Sequence, residues 1–157
     1  MTQTTLHVDD RLQLDNQLCF KLYAASRAVI RAYKPMLDQL GVTYPQYLVM
    51  LVLWEWQQQP PALPTVKALG ERLLLDSGTL TPLLKRLELQ GLLQRKRSAS
   101  DEREVHLALT PAGCALREQV LPLKSQLLCE RGIDLDQVAE LRSQVGALLD
   151  QFMVLNH

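Results

Sequence analysis

Apolar residues recur at steps of three and four along most of the chain, which is the period of an α-helix with one covered face. The first such face extends from Leu18 to Leu40, and Gly41 is placed to end that helix. Residues 47–54 are apolar on every side. A buried helix fits them better than a strand because helices surround them, and Thr43 is a suitable N-cap. The pattern therefore predicts a mainly α protein.

The middle of the chain predicts two short helices followed by a β-hairpin. Thr65 and Asp76 are residue types that cap helix N-termini, and leucines follow each of them at helical spacing. Alternating apolar and polar residues then predict strands over 92–97 and 104–109, joined by a polar tip. This order of elements is that of a winged helix-turn-helix, whose second helix, the recognition helix, enters the major groove of DNA. The fold class is therefore mainly α with a small β wing.

The C-terminal part predicts further helices. Thr110 and Pro111 fit the N-cap and first position of one of them, and residues 57–64, rich in proline, predict a surface loop earlier in the chain. The last helix carries a seam of apolar residues at alternating steps of three and four: Val138, Leu141, Val145, Leu148, Phe152 and Leu155. Such a seam is typical of a helix that packs on a partner, and a helix that covers its own core is the alternative.

Length and composition indicate an ordinary globular protein of one domain. The chain has 157 residues, of which 47% are hydrophobic and 22% charged. Three cysteines are too few for a disulfide framework, and the polar, acidic residues 1–13 do not form a signal peptide. The longest apolar run is far short of the ~20 residues that span a membrane. We expect a cytoplasmic protein with no membrane partner.

The positive charge is local and lies where a DNA-binding surface is predicted. The net charge is zero, with 17 basic and 17 acidic residues, yet residues 77–97 hold five basic side chains against Glu88 alone. We expect Arg103 at the hairpin tip to enter the minor groove, its guanidinium held by Asp101. A solvated charged face is the alternative. The candidate DNA contacts are Ser77, Thr79, Thr81, Lys85, Arg86, Arg95, Lys96, Arg97, Asp101 and Arg103.

Several contiguous motifs resemble one family of bacterial regulators. Residues 75–88 are LDSGTLTPLLKRLE, residues 95–97 are RKR and residues 101–105 are DEREV. Together they closely resemble the MarR family. Upstream, QLCFKLY at 17–23 and TYPQYLVMLVLWE at 43–55 resemble its organic hydroperoxide sensing branch, the OhrR repressors.

The resemblance implies a homodimeric repressor that binds pseudo-palindromic, double-stranded operator DNA. One MarR-type winged helix domain would cover residues 1–157. Its DNA-binding part would lie at about 62–112, and its dimerisation helices at about 10–40 and 111–157. Such a repressor leaves DNA when an organic hydroperoxide oxidises a cysteine.

Cys19 is the candidate redox-sensing thiol. From residue type alone an inert buried cysteine is the commoner outcome, and only the resemblance makes Cys19 reactive. The resemblance also implies a hydrogen-bond network of Tyr23, Tyr33 and Tyr44 around the thiol. Tyr33 is fourteen residues from Cys19, or about 21 Å along one helix, so its bond to Cys19 would have to cross to another subunit.

A sulfenic acid at Cys19 can condense with a second thiol to form a disulfide. Cys129 resembles the resolving cysteine of two-cysteine family members by its position, and Cys114 is the alternative. No cofactor is implied. A metal site is not indicated, because His7, His106 and His157 are scattered and no pair of closely spaced cysteines accompanies them.

Two other functions compete with this hypothesis. A MarR-type regulator can release DNA on binding a small aromatic ligand instead of reacting. A thiol peroxidase would use the same Cys19, but the sequence places no arginine or threonine beside it to activate a peroxide, and a DNA-binding unit would have no role. We therefore expect the protein not to be an enzyme.

Overall fold

The structure is a computed structural model that describes residues 9–155. The first eight residues, which make up most of the segment that argues against a signal peptide, lie outside the described residues, as do His7 and His157. The described elements, after two short 3-10 turns, are α1 (Leu18–Leu40), α2 (Tyr44–Gln58), α3 (Val66–Leu73), α4 (Ser77–Leu89), β1 (Leu93–Arg97), β2 (Val105–Leu109), α5 (Pro111–Glu130) and α6 (Leu135–Leu155). The mainly α fold with a β wing is confirmed.

The predicted helix boundaries are confirmed by their caps. Thr43 and Gln46 form a capping box at the start of α2, where the Thr43 N–H donates to Gln46 Oε1 at 2.8 Å. Thr65 Oγ1 accepts the backbone N–H of Ala68 at 3.2 Å and so caps α3. Gly41 ends α1 in the left-handed conformation, at φ +70°. These contacts span at most four residues, which is why the sequence predicts them.

The described residues up to Leu121 form one compact unit with its own core. Helix α2 contacts α1, α3 and α4, which explains why it is apolar on every side. It continues to Gln58, so the loop predicted from Gln57 begins two residues later. The buried apolar side chains of this unit are Met36, Leu37, Leu40, Val42, Tyr47, Val49, Met50, Val52, Leu53, Trp54, Leu69, Leu80, Leu84, Leu87, Leu93, Leu107, Leu116 and Val120.

The turn between α3 and α4 is tight and strained. Leu74 adopts the left-handed conformation, at φ +56°, which a residue with a side chain rarely takes. Directly after it, the N–H of Leu75 donates to Gly70 O at 3.0 Å. A Cβ on Gly70 would lie 2.7 Å from Leu75 O, so only glycine allows the turn to approach α3 this closely.

The wing is a two-stranded antiparallel sheet in which Leu93 pairs with Leu109 and Arg97 pairs with Val105. Each strand begins one residue later than predicted. The segment before α3 lies along β2, where the N–H of Leu107 donates to Pro64 O at 2.8 Å. The proline-rich loop therefore ends at the sheet and holds the wing beside the helix-turn-helix.

Helix α5 begins in close contact with the wing. Thr110 Oγ1 accepts the N–H of Gly113 at 3.1 Å, as predicted for an N-cap. A Cβ on Gly113 would overlap the carbonyl oxygen of Leu92. The indole N–H of buried Trp54 donates to Gly113 O at 2.9 Å. Gly113 is thus enclosed between the start of β1 and helix α2.

Two apolar helix faces are not covered within the described chain. On α1, Leu18 is 58% exposed and Val29 is 51% exposed, so the prediction that Leu18 faces inward is wrong. The same face is buried only near Met36 and Leu40. The second compact unit runs from Pro122 and includes α6, none of whose residues is buried. Large apolar side chains of its seam are exposed, among them Leu141 at 59% and Phe152 at 56%.

Candidate DNA-binding surface and thiol site

Helix α4 exposes the side chains that the sequence assigns to DNA. Its buried residues are Leu80, Leu84 and Leu87. The side chains predicted to touch DNA all lie outside this buried face and are exposed: Ser77, Thr79, Thr81, Lys85 and Arg86. Among the ion pairs of residues 9–155, none includes Lys85 or Arg86. Two cations on this surface are therefore open to an anionic partner.

The start of α4 is held by its cap. Asp76 Oδ1 accepts the backbone N–H of Thr79 at 2.8 Å, and this hydrogen bond lowers the pKa of the Asp76 carboxyl. The hydroxyl of Thr81 donates to Ser77 O at 2.7 Å. That bond uses its only proton and leaves the oxygen of Thr81 able to accept hydrogen bonds from a ligand.

The three basic residues of β1 do not share one environment. Lys96 and Arg97 are exposed, as predicted. Arg95 is half-buried, and its Nη2 lies 2.8 Å from Glu88 Oε2. The prediction that Arg95 contacts DNA is therefore not supported by its geometry, because its guanidinium already binds a carboxylate of α4.

The hairpin tip exposes Arg103, but Asp101 does not hold its side chain. Asp101 Oδ1 accepts the backbone N–H of Arg103 at 2.9 Å. No ion pair within the described part of the chain includes Arg103. The predicted ion pair between the Arg103 guanidinium and the Asp101 carboxylate is thus wrong. The carboxylate instead accepts a hydrogen bond from the backbone of the turn.

Cys19 is exposed and is the second residue of α1. The nearest basic residue in the chain, Lys21, lies 3.6 Å from Asp15, and its ammonium also lies over the Phe20 ring. The exposed position of Cys19 at the start of α1 leaves its thiol accessible to a small oxidant.

A cluster of three tyrosines lies away from Cys19 along the same unit. The ring centroids of Tyr33 and Tyr44 are 5.9 Å apart, so two residues of the predicted network are neighbours in one chain. Tyr47 joins them, with its ring 6.0 Å from that of Tyr33 and 6.3 Å from that of Tyr44. Tyr23 does not belong to this cluster: it is exposed and lies under the guanidinium of Arg27 at 5.3 Å.

Sequence reasoning missed Tyr47, which it counted as part of the apolar core. Its place in the tyrosine cluster could have been predicted from its spacing of three residues from Tyr44, which places both rings on one face of α2. Cys19 and Tyr33 lie on one continuous helix, fourteen residues or about 21 Å apart. Tyr33 therefore does not reach the thiol of its own chain.

We expect Tyr47→Phe to raise the free energy of unfolding by about 1–2 kcal/mol. The hydroxyl of Tyr47 is buried and has no hydrogen-bond partner within the described chain, and such a group costs about 1–3 kcal/mol. Urea denaturation measures the change, and Tyr23→Phe is the matched control because the Tyr23 ring is exposed. A less stable Tyr47→Phe protein would mean that the hydroxyl has a partner.

The pH dependence gives a second readout for Tyr47. Burial raises the pKa of Tyr47 from 10.0 to about 12, so the folded protein keeps this proton where the unfolded chain has lost it. The contribution of Tyr47 to stability is complete below pH 10 and is lost as the pH rises to about 12. Tyr47→Phe removes this part of the decline in stability at alkaline pH.

The other two cysteines differ in accessibility. Cys129 is exposed in the last turn of α5, just before Gly132 ends the helix at φ +58°. Cys114 is half-buried in the first turns of α5, and Gln57 Nε2 lies 2.8 Å from its sulfur. Access therefore favours Cys129 for reaction with another thiol.

The described helices contain none that is both long and apolar enough to cross a membrane. In the same part of the chain, no group of three or more His, Cys, Asp or Glu residues is arranged to hold a metal ion.

Comparison with known proteins gives the family. A family model described as transcriptional regulator SarA/Rot matches residues 31–119. The organic hydroperoxide resistance transcriptional regulator of Bacillus subtilis is 48% identical over 141 residues, which cover 90% of this chain and 92% of that protein. AbfR of Staphylococcus epidermidis, whose crystal structure is known, is 36% identical in sequence. The two structures superpose with a TM-score of 0.74 over 92% of this chain and 97% of the AbfR chain.

Further structures connect the fold with DNA and with thiol oxidation in these relatives. Reduced AbfR bound to DNA is 33% identical, with a TM-score of 0.70 over 94% of this chain and 99% of that one. Disulfide-formed AbfR is 37% identical, with a TM-score of 0.62 over 94% of each chain. A MarR mutant of E. coli in complex with operator DNA is 28% identical, with a TM-score of 0.71 over 84% of this chain and 93% of that one.

The relatives are named as regulators of transcription and not as enzymes. Their similarity extends over the helix-turn-helix, the wing and the N-terminal helix that carries Cys19. The chain belongs to the MarR family of transcriptional regulators, in its organic hydroperoxide sensing branch.

Proposed function

We propose that this protein is a homodimeric repressor that releases its operator when an organic hydroperoxide oxidises Cys19. The observation that carries the proposal is the exposed thiol of Cys19 in the first turn of α1. The names of the relatives support it, since one regulates organic hydroperoxide resistance and another has been studied reduced on DNA and in a disulfide form. Its site of action is the cytoplasm, where the DNA lies.

The DNA contacts come from two elements. At the start of α4, Ser77, Thr79 and Thr81 are short enough to hydrogen-bond bases or phosphates in the major groove, and Lys85 and Arg86 bind further along it. On the wing, Lys96 and Arg97 neutralise phosphates while Arg103 enters the minor groove. Asp101 shapes the tip that presents Arg103.

The two uncovered helix faces support the presence of a second subunit. The apolar face of α1 and the seam of α6 expose large side chains, among them Leu18, Leu141 and Phe152, to water. Covering them with a second copy of the chain is favourable and presents two recognition helices to the two halves of a pseudo-palindromic operator. The whole chain then acts as one winged helix domain.

The dimer also completes the thiol site. The family resemblance implies that Tyr33 and Tyr44 bond the thiol, and Tyr33 lies about 21 Å from Cys19 of its own chain, so this bond would come from the partner subunit. Tyr23 lies one turn from Cys19 of its own chain. Hydrogen bonds from phenol groups favour the thiolate. Sensing and dimerisation then use one surface, and a change at the sulfur alters the spacing of the two recognition helices.

The chemistry needs no cofactor. The Cys19 thiolate attacks the terminal oxygen of the hydroperoxide, an S–O bond forms, the O–O bond breaks, and an alcohol leaves after it takes up a proton. The sulfur is oxidised to a sulfenic acid and the peroxide is reduced. The Cys129 thiol then attacks this sulfur, which forms a disulfide and releases water.

The test is a DNA-binding titration with and without cumene hydroperoxide. The probe is a labelled duplex that the reduced wild-type protein selects from a randomised pool. We expect peroxide to weaken binding by the wild type about 10–100-fold, and to leave Cys19→Ser unchanged because serine forms no sulfenic acid. If the peroxide makes Cys19→Ser release the duplex, or if a phenolic compound that cannot oxidise the protein does so, the proposal is contradicted.

A further inference from the structure

Glu88 and Arg95 join the recognition helix α4 to the wing through both side chain and backbone. Arg95 Nε and Nη2 donate to Glu88 Oε2 at 3.0 and 2.8 Å. The backbone N–H of Arg95 donates to the other carboxylate oxygen, Glu88 Oε1, at 3.0 Å. The hydrogen bond to the main chain fixes the strand itself and not only the arginine side chain.

The surroundings make this contact stronger than an ordinary surface ion pair. The two side chains are 34% and 29% exposed, whereas the other ion pairs between lysine or arginine and an acid in the described chain include at least one side chain exposed by 57% or more. The backbone and side-chain hydrogen bonds from Arg95 lower the pKa of the Glu88 carboxyl, so it stays ionised at neutral pH. Partial burial reduces the screening of such a pair by water.

The position of the pair gives it a mechanical role. Glu88 lies in the last turn of α4, after the exposed Lys85 and Arg86, and Arg95 is the middle residue of β1. Only three residues separate α4 from β1, and one of them is Gly91 at φ +74°. Backbone hydrogen bonds from Gly91 to Glu88 O at 2.9 Å and from Leu92 to Leu87 O at 3.0 Å tie this loop to the end of α4. The pair adds a direct bond between that last turn and the middle of the strand, beyond the loop.

We propose that Glu88 and Arg95 are positioning residues that set the wing against the recognition helix. The pair lets α4 contact the major groove while the wing contacts the adjacent minor groove. This inference rests on the proposed DNA-binding function. It assigns no DNA contact to Arg95, although Arg95 is one of three consecutive basic residues.

Simple electrostatics makes the opposite prediction, which allows a sharp test. If Glu88 only repelled phosphates, removing its charge would strengthen DNA binding. If Arg95 bound a phosphate, its removal would reduce the dependence of binding on salt, by a slope of about 0.9 for each phosphate that is no longer neutralised. A positioning pair weakens binding when either partner is removed and leaves the salt slope unchanged.

The experiment measures binding of the reduced protein to the labelled duplex selected by the wild type, between about 50 and 200 mM salt. The variants are Glu88→Gln, Arg95→Gln and the double variant. We expect each single variant to bind about 5–20-fold more weakly with the wild-type salt slope. The double variant should bind no more weakly than the weaker single variant, because both remove one interaction.

Lys96→Gln is the matched control, since Lys96 is the exposed neighbour of Arg95 on the same strand. It should weaken binding and lower the salt slope. Arg95→Lys keeps the charge but cannot donate the same pair of hydrogen bonds. It should also bind more weakly with an unchanged slope, and it provides the test if Arg95→Gln does not fold.

Two results would overturn the inference: Glu88→Gln that binds as tightly as the wild type or more tightly, or an Arg95 variant that lowers the salt slope as Lys96→Gln does. If the wild type selects no duplex at all, the proposed DNA-binding function fails instead. The two failures are therefore distinguishable.

Discussion

Gly113→Ala is expected to lower the free energy of unfolding by about 3 kcal/mol or more, the largest decrease in stability that we predict for a single methyl group. The added Cβ would overlap the carbonyl oxygen of Leu92 and lie 3.0 Å from Cδ2 of Leu109. The Leu92 carbonyl cannot turn away freely, because its oxygen accepts the N–H of Thr110 at 3.2 Å. Relief requires α5 to move away from the wing, which also stretches the bond between Trp54 and Gly113.

Urea denaturation of Gly113→Ala and of Gly146→Ala measures this effect. Gly146 is the matched control, since it lies within α6 and a Cβ there meets nothing within 4 Å. Replacing a glycine in a helix by alanine at such a site stabilises by about 0.5–1 kcal/mol. Opposite changes in the two variants are expected. A Gly113→Ala protein as stable as the wild type would show that α5 does not pack on the wing as described.

Cys129→Ser is expected to abolish the covalent dimer that forms when the reduced protein is treated with an organic hydroperoxide. We propose that the sulfenic acid at Cys19 condenses with Cys129 of the other subunit. Cys129 is exposed, whereas Cys114 is half-buried with Gln57 Nε2 beside its sulfur. Oxidised wild type and Cys114→Ser should therefore run as dimers on a non-reducing gel, and Cys129→Ser as a monomer.

Mass spectrometry of oxidised Cys129→Ser adds a second readout. Without the resolving thiol, Cys19 should stay a sulfenic acid or take up further oxygen atoms, and Cys19→Ser should gain none. A cross-link that survives in Cys129→Ser but disappears in Cys114→Ser would transfer the resolving role to Cys114. Oxidised wild type that stays monomeric on the gel would contradict the bond between subunits.

On the candidate DNA surface, the sequence predicts correctly which side chains of α4 are exposed, but not which groups the charges of the wing bind. The alternation of leucines along α4 leaves Lys85 and Arg86 on the uncovered side, and the structure agrees. The partners predicted for Arg95 and Asp101 differ from those in the structure, because their charges are bound elsewhere, by Glu88 and by a turn amide. Composition shows that a charge is present but not which group neutralises it.

The sequence by itself determined the elements and their order, because their signals are local. Caps such as Thr43 and Asp76 bond within three residues, and the period of the leucines marks each helix face. The sequence did not determine whether a helix face is covered. The period of α1 predicts its apolar face, yet Leu18 is exposed. Covering that residue requires a surface that this chain does not place there.

Only the tertiary structure decided the contacts that define the sites. Tyr33 meets Tyr47 from another helix, Glu88 meets Arg95 across a turn at Gly91, and Gly113 meets the Leu92 carbonyl. Each contact depends on the angle at which two elements pack, and that angle is set by the sum of many side-chain contacts across the core. No pattern within a few residues encodes that sum, so these positions look like ordinary core, surface or loop residues until the chain is folded.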